Sequence, residues 1–102
     1  MGQWADSYIN RIQNRETVQF RPHGNSMQPR IKSGQLVTVI PATNMELREN
    51  DVVLCSVDGK QYLHLIKKIG LDGKLQIGNN KGHINGWITR DKVYGLVTKV
   101  ED

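Results

Sequence analysis

Cysteine is nearly absent from this chain, which carries only Cys55 among its 102 residues. One thiol cannot close an internal disulfide or build a zinc knuckle. Cys55 sits inside the apolar run Asp51-Val52-Val53-Leu54-Cys55-Ser56-Val57, where a small buried hydrophobe is the expected role rather than a reactive thiol. Long hydrophobic runs are missing too, and nothing approaches the roughly 18 apolar residues that would span a bilayer. The start, Met1-Gly2-Gln3-Trp4-Ala5-Asp6, has neither a basic cluster nor an apolar core, so it does not read as a secretory signal. Asp6 also stands where a myristoylation motif needs Ser or Thr. A cytoplasmic protein without membrane contact is expected. Dense positive charge is lacking as well: the net charge is +4, but the basic residues are dispersed and only Lys67 and Lys68 are adjacent. A solvated basic surface explains that pattern better than a dedicated nucleic-acid site, which stays the minority reading.

What is present is one domain's worth of alternating strands. Apolar residues make up 37% and charged residues 24%, as in a folded globular domain. Trp4, Tyr8, Ile9 and Ile12 recur at helical spacing and predict a short helix over residues 3 to 16. From Thr17 the period changes to two, with strands expected at about 17–21, 35–40, 51–57, 60–69, 74–78 and 93–100. Asp58-Gly59 and Asp72-Gly73 each read as a two-residue hairpin turn, because both positions of such a turn favour positive φ. Residues 78 to 86 are rich in Gly and Asn and read as a loop. The prediction is a mainly β domain over 20–102, preceded by a helix or arm over 1–19.

Chemistry concentrates in Gly24-Asn25-Ser26-Met27-Gln28-Pro29. A serine there can project from a rigid turn with backbone N–H groups beside it, as a nucleophile requires. Met27 would anchor the turn or shape a pocket wall. Taken alone, Ser26 in a self-bonded turn is the better reading. His64, in Tyr62-Leu63-His64-Leu65-Ile66-Lys67-Lys68, alters the balance because a strand histidine can serve as the base. The alternative is a half-buried strand histidine satisfied by a carbonyl. Lys68 is a weaker base candidate.

These segments together resemble the LexA-like and signal-peptidase-like serine peptidases. Gly24-x-Ser26-Met27-x-Pro29 with Gly34-Gln35-Leu36-Val37 is similar to the family's nucleophile box, with Gln35 where Asp is usual. Glu49-Asn50-Asp51-Val52-Val53 resembles its second box, and Tyr62 to Lys68 the strand bearing the base. His64 there resembles the histidine type found in endoplasmic-reticulum and archaeal signal peptidases. Ile77-Gly78-Asn79-Asn80 is similar to a Gly-Asp-Asn box, and Trp87 to Val97 to the closing segment.

The resemblance covers roughly residues 20 to 100. It implies a compact fold of coiled β-sheets with one short N-terminal helix. It also implies a Ser26–His64 dyad, an oxyanion turn at Gly24, Asn25 and Met27, no metal and no cofactor. The substrate would be a protein or peptide bound as an extended strand. The family's histidine-orienting aspartate is replaced at the matching place by Asn79, so Asn79 or Asn80 becomes the expected orienter. Asn85 and His83 lie in the same loop and offer assistance, with Asp91 a remoter option. The missing carboxylate leaves open a weak or inactive member that binds a protein partner or nucleic acid. A monomer or a homodimer is compatible with the chain.

Overall fold

The computed structural model describes residues 3–102. It contains one helix, α1 (Asp6–Gln13), and seven strands: β1 (Val18–Phe20), β2 (Leu36–Pro41), β3 (Val52–Val57), β4 (Lys60–Ile69), β5 (Leu75–Gly78), β6 (Ile84–Ile88) and β7 (Val93–Glu101). A 3-10 turn, Arg90–Lys92, leads into β7. All strands join one antiparallel sheet in the order β1-β2-β7-β3-β4-β5-β6.

The last strand is therefore central. β7 pairs with β2 on one side and β3 on the other. Each ladder of β7 skips one residue, Thr98 against β2 and Tyr94 against β3. The β4–β5 ladder skips Lys67 and the β5–β6 ladder skips Asn85. Such bulges bend a strand and add twist, which coils the sheet around two separate cores. One core joins Val52, Leu54, Leu63 and Leu65 to α1, β1, β2 and the anchors Met27 and Ile31. The other joins Val53, Cys55 and Val57 to Ile66, Ile77, Ile88 and Val93. β3 contributes alternate side chains to both, hence the continuous apolar run Val52 to Cys55. Cys55 is fully buried there, and burial pushes its thiol up to about 12, which makes it inert as a nucleophile.

Several elements differ from the sequence-based expectation. α1 is shorter than residues 3 to 16. The Glu16 and Arg15 N–H groups close back onto the Arg11 and Ile12 carbonyls, with Arg15 at φ 66°, and this Schellman closure ends the helix. Ala5, Ile9 and Ile12 point into the first core, and β1 crosses the 19/20 division to pair with β2. The first hairpin turn forms as expected, with Asp58 and Gly59 at φ 50° and 80°. The second is wider. Gly70 and Gly73 bond to each other, and the Gly70 N–H reaches the Lys74 carbonyl, so the turn takes in Gly70 to Gly73 rather than two residues. β6 begins inside the segment read as a loop, at Ile84, and runs past it to Ile88. Asn85-Gly86 hides that strand, since both residues have low β-propensity.

Candidate active site

Ser26 occupies a turn held from three directions. From below, Met27 and Ile31 are buried in the first core, with the Ile31 N–H bonded to the Met27 carbonyl. At the entry, Gly24 adopts φ 119° and its N–H donates to Ser33 Oγ at 3.1 Å. On the third side is Asn80. Its backbone N–H donates to the Ser26 carbonyl at 2.8 Å, and its side-chain amide donates to the Gln28 carbonyl at 2.9 Å. Apolar anchoring and these bonds fix the serine without using its hydroxyl.

The hydroxyl instead faces His64, with Oγ 3.2 Å from Nε2. His64 is central in β4, paired with Val53 of β3, and only 8% exposed. Tyr62 shares its face by strand alternation and stacks on the imidazole, ring centroids 4.9 Å apart. The far nitrogen, Nδ1, lies 2.7 Å from Asn85 Oδ1. An amide oxygen only accepts, so this contact calls for Nδ1–H as donor. Nε2 is then bare and accepts from the Ser26 hydroxyl. Burial lowers the His64 pKa from 6.5, and the nearby His83 adds to that effect, while the Asn85 bond opposes it. The imidazole is therefore neutral at physiological pH, the form a general base needs.

The bulge in the β5–β6 ladder aims Asn85 at the ring. Ile77 faces Gly86 and Gly78 faces Ile84, so Asn85 stands unpaired between them and turns its side chain toward β4. Gly78 makes that approach possible. A Cβ there would sit 2.5 Å from the His83 carbonyl oxygen, so any side chain would push the loop away.

The sequence-derived roles thus redistribute. Ser26 and His64 come together. The expected orienters do not reach the imidazole. Asn79 Oδ1 accepts from the Lys81 and His83 N–H groups and shapes the loop. Asn80 grips the serine turn instead. Asn85 takes the orienting position. It was visible in the sequence only as a neighbour in the same loop, because the bulge that aims it has no local signature. Gly24 also departs from the oxyanion expectation, since its N–H is already bonded to Ser33; among the described residues the Asn25 and Ser26 N–H groups have no acceptor. Asp91 is occupied with the Thr89 hydroxyl, away from the site.

The site opens into a cleft of about 430 Å³ lined by Trp4, Tyr8 and Phe20, by Arg21 to Gly24, and by residues 61–64 of β4. That half of β4 has β3 on one side only, because β5 begins to pair at Leu65. The Gln61 backbone points to the open side, where its N–H meets Gln3 Oε1 and its carbonyl accepts from Trp4 Nε1. By alternation the Leu63 N–H and carbonyl share that direction, next to the dyad. Among the described residues there is no cluster of three metal-ligating side chains, and no helix is long and apolar enough to cross a membrane.

Comparison with known proteins adds one positive result. The family model described as Peptidase S24-like matches residues 3–93. Searches of curated proteins and of solved structures gave no match. With the match spanning most of the chain, and with a coiled antiparallel sheet beneath it, the chain belongs to the Peptidase S24-like family.

Proposed function

We propose that this protein is a serine endopeptidase working through a Ser26–His64 dyad on a peptide bound as an extended strand. The observation that carries the reading is the relay of contacts Ser26 Oγ–His64 Nε2, 3.2 Å, and His64 Nδ1–Asn85 Oδ1, 2.7 Å. His64 Nε2 takes the hydroxyl proton as Oγ bonds to the scissile carbonyl carbon. The Ser26 N–H, with that of Asn25, faces the developing oxyanion. Collapse breaks the C–N bond, and the amine leaves with the proton from Nε2. Water then attacks the acyl ester, giving its proton to Nε2, and Ser26 is regenerated. The open side of β4 at Leu63 would pair with the substrate backbone, which places a scissile bond without a deep pocket.

Asn85 sets the pace of this chemistry. Its amide fixes the tautomer, but it brings no negative charge to the imidazolium that forms, so the site lacks the electrostatic support that a triad's carboxylate gives. That same amide favours a second reading, a peptide-binding module whose dyad turns over slowly or not at all. The two readings separate on a peptide library incubated with wild type, Ser26→Ala and His64→Ala and read by mass spectrometry. The peptidase reading expects cleavage by wild type and a loss of about 10³-fold or more in both variants. Identical products from all three proteins would contradict it, and binding without cleavage by wild type would favour the module. Nucleic-acid binding is a distinct outcome, read as retention that weakens steeply with salt.

A further inference from the structure

We propose that the cleft beside Ser26 selects peptide strands by a large apolar side chain, aromatic above all, with acidic residues close to it in sequence. The proposal rests on the strand-binding site described above and names what that site accepts. Three rings form the inner wall. Tyr8 and Phe20 stack with centroids 4.4 Å apart, and Trp4 meets Phe20 edge-on at 5.7 Å. Buried Met27, Ile31 and Leu63 complete an apolar floor that reaches the dyad. About 430 Å³ is far more than an alanine side chain fills, and falls within the range of small-molecule pockets. Trp4 remains 50% exposed, so a guest ring would bury apolar surface that this chain leaves in water.

The wall is built rather than incidental. Trp4 Nε1 donates to the Gln61 carbonyl at 3.1 Å. Gln61 accepts the Ala5 N–H on Oε1 at 2.8 Å and donates from Nε2 to Asp6 Oδ1 at 2.6 Å. These bonds tie the segment before α1 to β4 and hold the ring set in place before any ligand arrives, which lowers the ordering cost of binding. Charge supplies the second part of the specificity. Arg21, His23 and Lys32 line the cleft, and among the described residues no Asp or Glu does. Among the described residues Arg21 and Lys32 have no carboxylate partner, the Arg21 guanidinium meeting only the Gly34 carbonyl. An acidic residue of a bound strand finds cations there without displacing a resident anion.

The test uses fluorescein-labelled ten-residue peptides and the full Ser26→Ala protein, so that binding is read without turnover. One set varies a central position through Phe, Leu and Ala, and a second places Glu or Lys beside it. Anisotropy titration is expected to give about tenfold or tighter binding for Phe over Ala, and for Glu over Lys at low salt, the latter advantage shrinking as salt rises. Combining Trp4→Ala with Tyr8→Ala in the same background should erase the Phe preference. If that variant is unfolded by circular dichroism, the readout becomes Trp4 fluorescence in a Trp87→Phe, Ser26→Ala protein, which should change with the Phe peptide and not with the Ala peptide. Equal affinity for Phe and Ala peptides, no binding by any peptide, or a preference that survives loss of the rings would overturn the proposal. Wild-type cleavage is scored separately: selective binding without Ser26-dependent cleavage keeps the pocket and removes the peptidase reading, and unselective cleavage does the reverse.

Discussion

Two irregular segments meet at His64 from opposite sides, and they are held in different ways. The turn from Gly24 to Ile31 is nailed down by side chains, with Met27 and Ile31 in the core and Ser26 left free to point outward. The return from Gly78 to Gly86 is shaped by polar bonds and ladder register, with Asn79 Oδ1 holding the Lys81 and His83 N–H groups, Gly78 squeezed against the His83 carbonyl and Asn85 displaced by a bulge. The nucleophile therefore depends on packing and the orienting amide on ladder register. The segments are also coupled, because Asn80 of the second holds the Ser26 and Gln28 carbonyls of the first.

The largest expected effect separates the two ends of the second segment. Asn85→Ala removes the acceptor from His64 Nδ1 and should lower kcat/KM by about 100-fold or more, as general-base contributions of this kind are lost. Asn79→Ala, which touches only the Lys81 and His83 N–H groups, should change the pH profile little. Peptide cleavage across pH 5 to 9 checks both, and equal losses would break the distinction between orienting and loop-shaping asparagines. Replacing Asn85 by Asp is the converse. A carboxylate at that place stabilises the imidazolium, so it should raise both the His64 pKa and kcat, by about tenfold or more in rate.

Next comes the coupling between segments. Asn80→Ala withdraws the side-chain donor from the Gln28 carbonyl and should cost roughly 1–3 kcal/mol in a urea melt. It should also lower cleavage more than Asn79→Ala does, because it loosens the turn that carries Ser26. The smallest effect is the pH dependence of stability. His64 binds a proton less readily folded than unfolded, so below its ordinary value of 6.5 the unfolded chain holds more protons. Stability should be fully present above pH 6.5 and decline as pH falls from there through the folded pKa. His64→Gln should remove that part of the slope.

The sequence displayed the first segment far better than the second, for a physical reason. Ser26 lies in a contiguous motif whose residues act on one another within a few positions, and alternation along β4 put His64 beside Tyr62 without reference to any other strand. Fold class was legible on the same basis, since β3, β4 and the Asp58-Gly59 turn all carry local signals. Asn85 acts across a ladder. Its direction depends on which residue of β6 is skipped opposite Gly78, and no local pattern records that. The same holds for the aromatic wall. Trp4, Tyr8 and Phe20 come from the segment before α1, from α1 and from β1, and they meet through the packing of α1 on β1 and the bonds from Trp4 and Ala5 to Gln61, more than fifty positions away. Asp72-Gly73 is an intermediate case, since its glycine is used as expected while Gly70 widens the turn.

The account rests on a neutral imidazole strung between Ser26 and Asn85, and nitrogen-15 NMR of His64 tests that most directly. At pH 7.5 the spectrum should show the proton on Nδ1 and an unprotonated Nε2, with titration only below pH 6.5; in Asn85→Ala the Nδ1 preference should weaken. A proton resident on Nε2, or a His64 that titrates above 6.5, would contradict it.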